Sequence, residues 1–276
     1  NPNDGPVDTY ITVKNCSVEN TEITAKGSVG GIIGHAGCNP ATFHTFTDNT
    51  VTGCTLNSTD DGGWRVGVVA GTANVGEISI ADTTESNNTL TQTGKTAPEG
   101  QSDLYGRFVP DTTGKLIIDG VPVFNSDIVA AIGNTGYKTL ADAVTAADNT
   151  TTVTLLKDTT ENVTIPTGKT ITLDLNGKKL TNADGQDTIT VALGASLTVT
   201  GSGTVDNVTH GKAAIYNNGT VILNGGSYTR SAEASTSIKD ANGNSYYNIL
   251  NHGTMTIGKN VSVTSRGSFF SPIANG

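Results

Sequence analysis

The second half of the chain repeats one pattern of short strands, and this repeat limits the possible folds more than any other feature. Four segments align with one another: residues 166–173, 192–199, 216–223 and 250–257. Their matching apolar positions are Ile171, Leu197, Val221 and Met255, followed two residues later by Leu173, Val199, Leu223 and Ile257. Strands that recur after 26, 24 and 34 residues, with no helix between them, are typical of a parallel β-helix.

The composition agrees with an all-β chain that turns often. Glycine accounts for 34 of the 276 residues, and charged residues make up only 15%. Glycine accepts the backbone angles of tight turns, and threonine is β-branched and favours extended backbone. We therefore predict an all-β fold that consists of two β-helical blocks.

The charge balance argues against two classes of partner. The chain has a net charge of −9 and a pI near 4.8. An acidic surface repels the phosphates of nucleic acids and of anionic membranes. In addition, no apolar run approaches the roughly 20 residues of a membrane-spanning helix. We expect no nucleic-acid partner and no membrane span.

The two ends of the sequence suggest a piece of a larger protein. The chain begins at Asn1 without methionine, and Ile273 follows Ile249 by the 24-residue interval of the repeat. We therefore expect the last coil to be cut in the middle. We also expect the parent protein to be larger.

Residues 1–92 contain a different, longer repeat. The segment around Cys16 is echoed around Cys54, 38 residues later, and Val29 is echoed by Val66, 37 residues later. We predict a short β-helix in which Cys16 and Cys54 are neighbours in an inward-facing ladder. No spacing of these residues or of Cys38 suggests zinc.

The glycine-rich part of this block resembles a known repeat. The segments Val29-Gly-Gly-Ile-Ile-Gly34 and Val66-Gly-Val-Val-Ala-Gly71 are similar to GLUG-type repeats of gut-bacterial surface proteins. The only tryptophan, Trp64, follows the turn Asp60-Asp-Gly-Gly. It is either a platform on which a sugar stacks or a cap over the end of the β-helix.

Residues 93–127 read as a connector with a small hairpin, because short apolar runs there are separated by turn sequences. Residues 139–147 are the one convincing helix, with Thr139 as its N-terminal cap. One apolar face, formed by Leu140, Ala143, Val144 and Ala147, predicts a helix that covers the open end of the following block, residues 128–276.

The second block also resembles a family. Ile132-Gly-Asn-Thr-Gly-Tyr137, Thr154-Leu-Leu-Lys-Asp158 and Ile171-Thr-Leu-Asp-Leu-Asn-Gly177 are similar to pectate-lyase-like domains of large surface proteins from gut Firmicutes. This resemblance implies a right-handed parallel β-helix and an extracellular setting, either secreted or on the bacterial cell surface. The activities of such domains vary, so the resemblance implies the fold of this chain more strongly than its function.

Catalytic groups on a β-helix would occupy matching positions on successive coils. Asp174 is matched by Thr200, Asn224 and Gly258, so no acidic stripe forms along the repeat. The paired carboxylates of a glycoside hydrolase are therefore not expected. The four histidines, His35, His44, His210 and His252, are interpreted as solvated turn residues. We predict no catalytic residue, no metal site and no cofactor.

One coil breaks the period, and it is the predicted binding site. The interval from Val221 to Met255 is longer than the others, and its extra residues, 230–245, must leave the coil as a loop. Insertions of this kind often lie on the binding face, although a neutral insertion is the alternative. The candidate binding residues are Tyr228, Arg230, Lys239, Asp240, Tyr246 and Tyr247. Their aromatic side chains either form an exposed patch or fill the inside of a wide coil.

These observations lead to one expected function and two alternatives. We expect a non-enzymatic, adhesin-like module that binds a host extracellular protein, such as an immunoglobulin or mucin, or a glycan. The alternatives are a polysaccharide lyase or glycoside hydrolase whose active site lies outside this sequence, and a passive surface stalk.

Overall fold

The structure, a computed structural model, describes residues 9–37, 42–74, 76–109, 115–183, 185–209, 211–231, 247–264 and 273–276. The chain divides into two compact units, Asn1–Asn125 and Ser126–Gly276. The described residues form short strands in mostly parallel sheets, with one helix, so the all-β prediction is confirmed.

The first unit is a stack of parallel strands. Its strands are β1 (Thr9–Lys14), β2 (Ser17–Glu19), β3 (Glu22–Ala25), β4 (Val29–Gly30), β5 (Ile33–Ala36), β6 (Thr42–Thr47), β7 (Thr50–Thr52), β8 (Thr55–Ser58), β9 (Val66–Gly67), β10 (Ala70–Ala73), β11 (Glu77–Ala81), β12 (Thr84–Ser86), β13 (Thr89–Gln92), β14 (Tyr105–Phe108), β15 (Lys115–Ile118) and β16 (Val121–Val123). Strands β1 to β5 form one coil, and β6 to β10 stack on them in the same order.

The register of this unit confirms one predicted alignment and shows another to be wrong. Val29 pairs with Val66, as expected. Cys16, however, lies next to Asn49, because its backbone N–H donates to the Asn49 side chain over 3.0 Å. Cys54 is buried, but Cys16 is exposed, so the two do not share an inward ladder.

The misalignment has a physical reason. Each coil uses the same two-residue turn at two successive corners, and the first residue of each turn has a positive φ. Cys16 follows Asn15 (φ 56°) at one corner, whereas Cys54 follows Gly53 (φ 64°) at the next corner. Because the turns at the two corners have similar sequences, residues at different corners can be aligned as if they were equivalent positions on successive coils.

The predicted connector contains the expected small hairpin, β15 and β16, but its strands also pair with those of the first unit. Strand β14 pairs in parallel with β10, and β15 pairs in parallel with β11. Only β16 is antiparallel to its neighbour, β15. Strands β14 to β16 therefore continue the first unit, because their apolar side chains complete its core; Leu116, for example, is fully buried.

The second unit passes through three sheets in turn, and all their strand pairs are parallel except those of β17, which is antiparallel to β18 and β19. Its elements are β17 (Ala130–Ile132), β18 (Thr135–Tyr137), α1 (Leu140–Ala146), β19 (Thr151–Leu155), β20 (Thr159–Thr160), β21 (Val163–Ile165), β22 (Thr170–Asp174), β23 (Lys179–Thr181), β24 (Ile189–Val191), β25 (Ser196–Thr200), β26 (Thr204–Asp206), β27 (Ile215–Asn217), β28 (Thr220–Leu223), β29 (Ser227–Thr229), β30 (Ile249–Asn251), β31 (Thr254–Ile257), β32 (Ser262–Val263) and β33 (Ile273–Asn275). The sheet orders are β18-β17-β19-β22-β25-β28-β31, β20-β23-β26-β29-β32 and β21-β24-β27-β30-β33.

This strand order is consistent with a β-helix-like fold, and its register matches the predicted repeat. Ile171 pairs with Leu197, Leu197 with Val221, and Val221 with Met255. Most side chains of the two predicted ladders are buried, because residues at every second position of a strand face the same side. The hand of the coil stays a prediction.

Helix α1 covers apolar residues as predicted. Thr139 caps it, since its hydroxyl accepts a hydrogen bond from the Asp142 backbone N–H over 3.0 Å. The carboxylate of Glu161 accepts two further N–H groups of the first turn, from Leu140 and Ala141. The predicted apolar face is buried in the core of the second unit. No helix in the described part of the chain is both long and apolar enough to cross a membrane.

An asparagine ladder runs along the last coils, with Asn217 and Asn251 buried and Asn275 exposed. Asn217, Asn251 and Asn275 pair in register on β27, β30 and β33. The Asn217 amide donates to Asn251 over 2.6 Å, and the Asn251 amide donates to Asn275 over 3.0 Å. Each buried amide thus finds a partner on the next coil, which avoids the cost of an unpaired buried polar group.

Candidate functional site

The described members of the predicted binding set do not form one exposed patch. Tyr228 is fully buried and Arg230 is 3% exposed, while Tyr247 is half-buried. Lys239, Asp240 and Tyr246 lie outside the described residues. The interpretation of Tyr228 as a surface residue is therefore wrong. The alternative, that it fills the coil, is correct, because its ring packs in the core of the second unit.

The same region shows a different feature, a corner at which successive coils carry longer connections. Each connection leads from a strand of the β20-β23-β26-β29-β32 sheet to a strand of the neighbouring sheet. The first coil crosses this corner with residues 161–162 only. The next three coils use residues 182–188, 207–214 and 230–248, and we call these three segments the loop corner.

Buried asparagines hold the first two segments of the loop corner together. Asn182 and Asn207 occupy matching positions directly after β23 and β26, and both are buried. The side-chain oxygen of Asn182 accepts from the Val208 backbone N–H over 2.7 Å. The Asn207 amide donates to the carbonyls of Gln186 and Ala213, over 3.0 and 2.9 Å. Each segment is therefore tied to its neighbour by paired polar groups.

Asp206 holds the start of the third segment. Its carboxylate is 1% exposed and accepts hydrogen bonds from the Thr229 hydroxyl (2.8 Å) and from the backbone and hydroxyl of Ser231 (2.9 and 2.6 Å). The ammonium of Lys179 lies 2.9 Å away. At the other end of the segment, the Asn248 amide donates to the carbonyl of Tyr228 over 2.8 Å. Both ends of the long connection are thus fixed in the coil.

The charge of Asp206 is stabilised by these donors. Burial by itself raises the pKa of a carboxyl group, because it disfavours the charged form. The hydrogen bonds from Ser231, Lys179 and Thr229 together outweigh burial and hold the pKa of Asp206 below its usual value. The carboxylate is therefore ionised at neutral pH and acts as an acceptor only.

Replacing Asp206 with asparagine is expected to lower the free energy of unfolding of the second unit by about 1–3 kcal/mol at pH 7, because a buried acceptor of several hydrogen bonds is lost. Lys179 is 46% exposed, so the ion pair itself adds little. Because the folded-state pKa is depressed, the stabilisation is present above the ordinary carboxyl pKa. It is lost as the pH falls through the folded-state value. The difference between the two proteins should therefore shrink in acid.

Urea unfolding followed by circular dichroism at pH 7 and in acid measures this difference. The only tryptophan, Trp64, lies in the first unit, so its fluorescence reports on that unit and should not change. Asp148→Asn removes the same charge from an exposed residue of the second unit and serves as the control. Equal losses for Asp148→Asn and Asp206→Asn at pH 7 would contradict the anchoring role of Asp206.

Of the three described histidines, His252 matches the expectation of a solvated turn residue, whereas His44 and His35 lie in strands. His44 is 6% exposed in strand β6, and burial lowers its pKa, so it is a core residue and not a solvated turn residue. His35 is exposed in β5, His252 is exposed in a turn, and His210 lies outside the described residues. No group of three or more His, Cys, Asp or Glu residues in the described ranges is placed to hold a metal ion.

The residues that organise the loop corner were not identified from the sequence. Asp206, Asn182, Asn207 and Asn248 look like ordinary turn residues in so polar a chain. The available signal was their position, since Asn182 and Asn207 each directly follow a strand of the same sheet. That signal becomes visible only when the strands are already aligned in register.

Comparison with known proteins gives no match: no protein-family model, curated protein or solved structure is similar to this chain.

Proposed function

We propose that the chain is a non-enzymatic binding module of a bacterial cell surface, and that its loop corner contacts a host protein or glycan. The observation that carries this proposal is that the connections after β23, β26 and β29 are longer than the connection after β20 and begin at the same corner of the second unit. Loops held on a rigid scaffold are common places for binding residues.

The scaffold under these segments supports such a role. Four buried polar side chains hold the ends of these loops by hydrogen bonds: Asn182, Asp206, Asn207 and Asn248. Fixing the bases lowers the conformational entropy that is lost when a ligand binds. A connection that merely tolerated insertion would need no such network.

The proposal includes an extracellular location and an adhesin-like role. The basis for an extracellular, adhesin-like role is the resemblance of short motifs: those at residues 132–137, 154–158 and 171–177 resemble pectate-lyase-like domains, and those at 29–34 and 66–71 resemble GLUG-type repeats. Immunoglobulins and mucins are the host molecules that we would test first, because a bacterial surface protein in the gut meets both.

Shortening the longest segment is the direct test. We expect removal of residues 232–246 to weaken binding to immobilised mucin or immunoglobulin by more than about tenfold, the loss typical of a binding hot spot. The deletion leaves residues 230, 231, 247 and 248 between β29 and β30, and the first coil crosses the same corner with residues 161–162 only, so a connection this short is possible. Surface plasmon resonance measures the affinity, and circular dichroism checks that the coil is retained.

Leu193→Ser provides a matched surface control. Leu193 is 77% exposed in the turn between β24 and β25, outside the loop corner, and its replacement should leave binding unchanged. Unchanged affinity after removal of residues 232–246 would exclude the loop corner as the binding surface. Absence of saturable binding to any glycan or serum protein would favour a passive stalk, and turnover of a polysaccharide would show an enzyme.

A further inference from the structure

The first unit has its own corner at which successive coils carry longer connections. In the first coil, residues 26–28 join β3 to β4. In the second coil, residues 59–65 make the same connection from β8 to β9. In the third coil, β14 stacks on β10, so residues 93–104 run from β13 past the position that β9 occupies in the second coil. The additional residues of the second coil are the turn that carries Trp64. Such expansions of a regular coil often mark its binding face.

The turn before Trp64 is held in one conformation. The Gln92 side chain is buried, and its amide N–H groups donate to the carbonyls of Asp60 and Gly63, over 3.0 and 3.1 Å. Its side-chain oxygen accepts from the Arg65 backbone N–H over 2.8 Å. The Arg65 guanidinium also pairs with the Asp60 carboxylate at 3.0 Å. The backbone on both sides of Trp64 is therefore held, and part of its side chain packs against the core of the unit.

Trp64 lines a cleft between the two longer connections. The cleft has a volume of about 400 Å³, and its apolar lining includes Trp64, Leu90 and Ala97. Lys95 and Asp103 line the cleft as exposed, charged residues. In the described part of the chain, neither the Lys95 ammonium nor the Asp103 carboxylate has a hydrogen-bond or ion-pair partner. We call this site the Trp64 cleft.

We propose that the Trp64 cleft binds a pyranose ring of a neutral sugar. One face of a pyranose presents C–H groups with partial positive charge, which complement the negative face of an indole ring. The sugar hydroxyls both donate and accept, so one can donate to Asp103 while another accepts from Lys95. The volume lies in the range of small-molecule sites, about 300–1,000 Å³, near its lower end.

The charges of the site and of the chain favour a neutral ligand. Lys95 repels a cation that would otherwise be attracted to Trp64 and Asp103. The net charge of −9 opposes the approach of an anionic sugar. This inference goes beyond the proposed function, which rests on the loop corner of the second unit, so each can fail without the other.

The single tryptophan makes the test direct, because all tryptophan emission comes from the cleft. We expect the emission of the full chain to change saturably when methyl glycosides of glucose, galactose or N-acetylglucosamine are added. Methyl glucuronide and choline should produce no saturable change. No response to any neutral glycoside, or saturation by glucuronide or choline alone, would overturn the proposal.

A double variant tests the polar contacts without removing the reporter. Lys95→Ala combined with Asp103→Asn should raise the apparent Kd for the neutral glycoside at least about tenfold, since hydrogen bonds to charged groups are lost. Lys115→Ala combined with Glu77→Gln changes the same charges at an exposed pair of the same unit and should have no effect. Equal affinity of the Lys95/Asp103 variant and the wild type would contradict the assignment.

Calorimetry measures the heat of sugar binding in variants that lack the Trp64 indole ring, for which fluorescence is not usable. Trp64→Ala should abolish the heat of binding, whereas Trp64→Phe should retain measurable binding because an aromatic face remains. Part of Trp64 packs against the core, so circular dichroism must show that both variants are folded. Undiminished heat with folded Trp64→Ala would exclude stacking on the indole.

Discussion

Gly71→Ala is expected to destabilise the first unit by at least about 3 kcal/mol, the upper end of the usual cost of overpacking. Gly71 lies in β10, and a Cβ atom at this position would come within 2.4 Å of the Val29 backbone nitrogen and 2.7 Å of its carbonyl oxygen. Real Cβ atoms do not approach other atoms closer than 3.0 Å. The obstructing atoms belong to the backbone of β4, so no side-chain rotation relieves the contact.

The close approach involves several glycines at once. A Cβ on Gly30 would lie 2.7 Å from the Gly71 nitrogen, and a Cβ on Gly67 would lie 2.5 Å from the Gly106 nitrogen. The backbones of successive coils therefore touch where these glycines meet. Separating them would disturb the pairing of β4 with β9 and of β10 with β5.

Urea unfolding followed by Trp64 fluorescence measures this effect, since the reporter lies in the same unit. Gly63→Ala is the matched control, because a Cβ at Gly63 would meet nothing within 4 Å. We expect it to change stability by no more than about 0.5 kcal/mol, as for other surface substitutions. A similar loss of stability in both variants would contradict the role of close backbone contact.

Tyr228→Ala is expected to lower the free energy of unfolding of the second unit by about 3–5 kcal/mol, as for other large aromatic residues removed from a core. Tyr228 is fully buried in β29, in register with Val205 and Val263. Its hydroxyl donates to the Gly225 carbonyl over 3.0 Å, and burial raises the pKa of Tyr228 above its ordinary value. The hydroxyl is therefore neutral at physiological pH.

Tyr228→Phe separates the ring from the hydroxyl. It should cost only about 1 kcal/mol, because one buried hydrogen bond is lost while the packing is kept. Circular dichroism in urea measures both variants, and Trp64 fluorescence should stay unchanged as a control on the first unit. If folded Tyr228→Ala lost binding to mucin or immunoglobulin without losing stability, Tyr228 would be a surface residue after all.

Much of the second unit could be predicted from its sequence. The ladder from Ile171 to Met255 was aligned correctly, because a shift of one residue would turn every apolar side chain outward. The helix was predicted for a similar reason, since the apolar positions of Leu140 and Val144 repeat at the helical period. In both cases the hydrophobic pattern is local and unambiguous.

The first unit and the candidate sites were harder to predict. Cys16 and Cys54 were paired wrongly because two corners of one coil have similar turns. Lys95 and Asp103 were assigned to a connector, so nothing in their sequence position linked them to Trp64. Contacts between distant segments depend on the number of residues in each connection between strands. A single sequence does not show where those connections begin and end.

The pattern of amino acids is enough to predict an all-β chain, the strand register of the second unit and the one helix of the described residues. Alternation of apolar residues decides these features, because burial acts on each strand in the same way. Three features are visible only in the folded structure: Tyr228 lies inside the coil, Asp206 anchors the long segment, and Trp64 lines a cleft. These depend on which coil lies above which, and stacking brings together residues that are far apart in the chain.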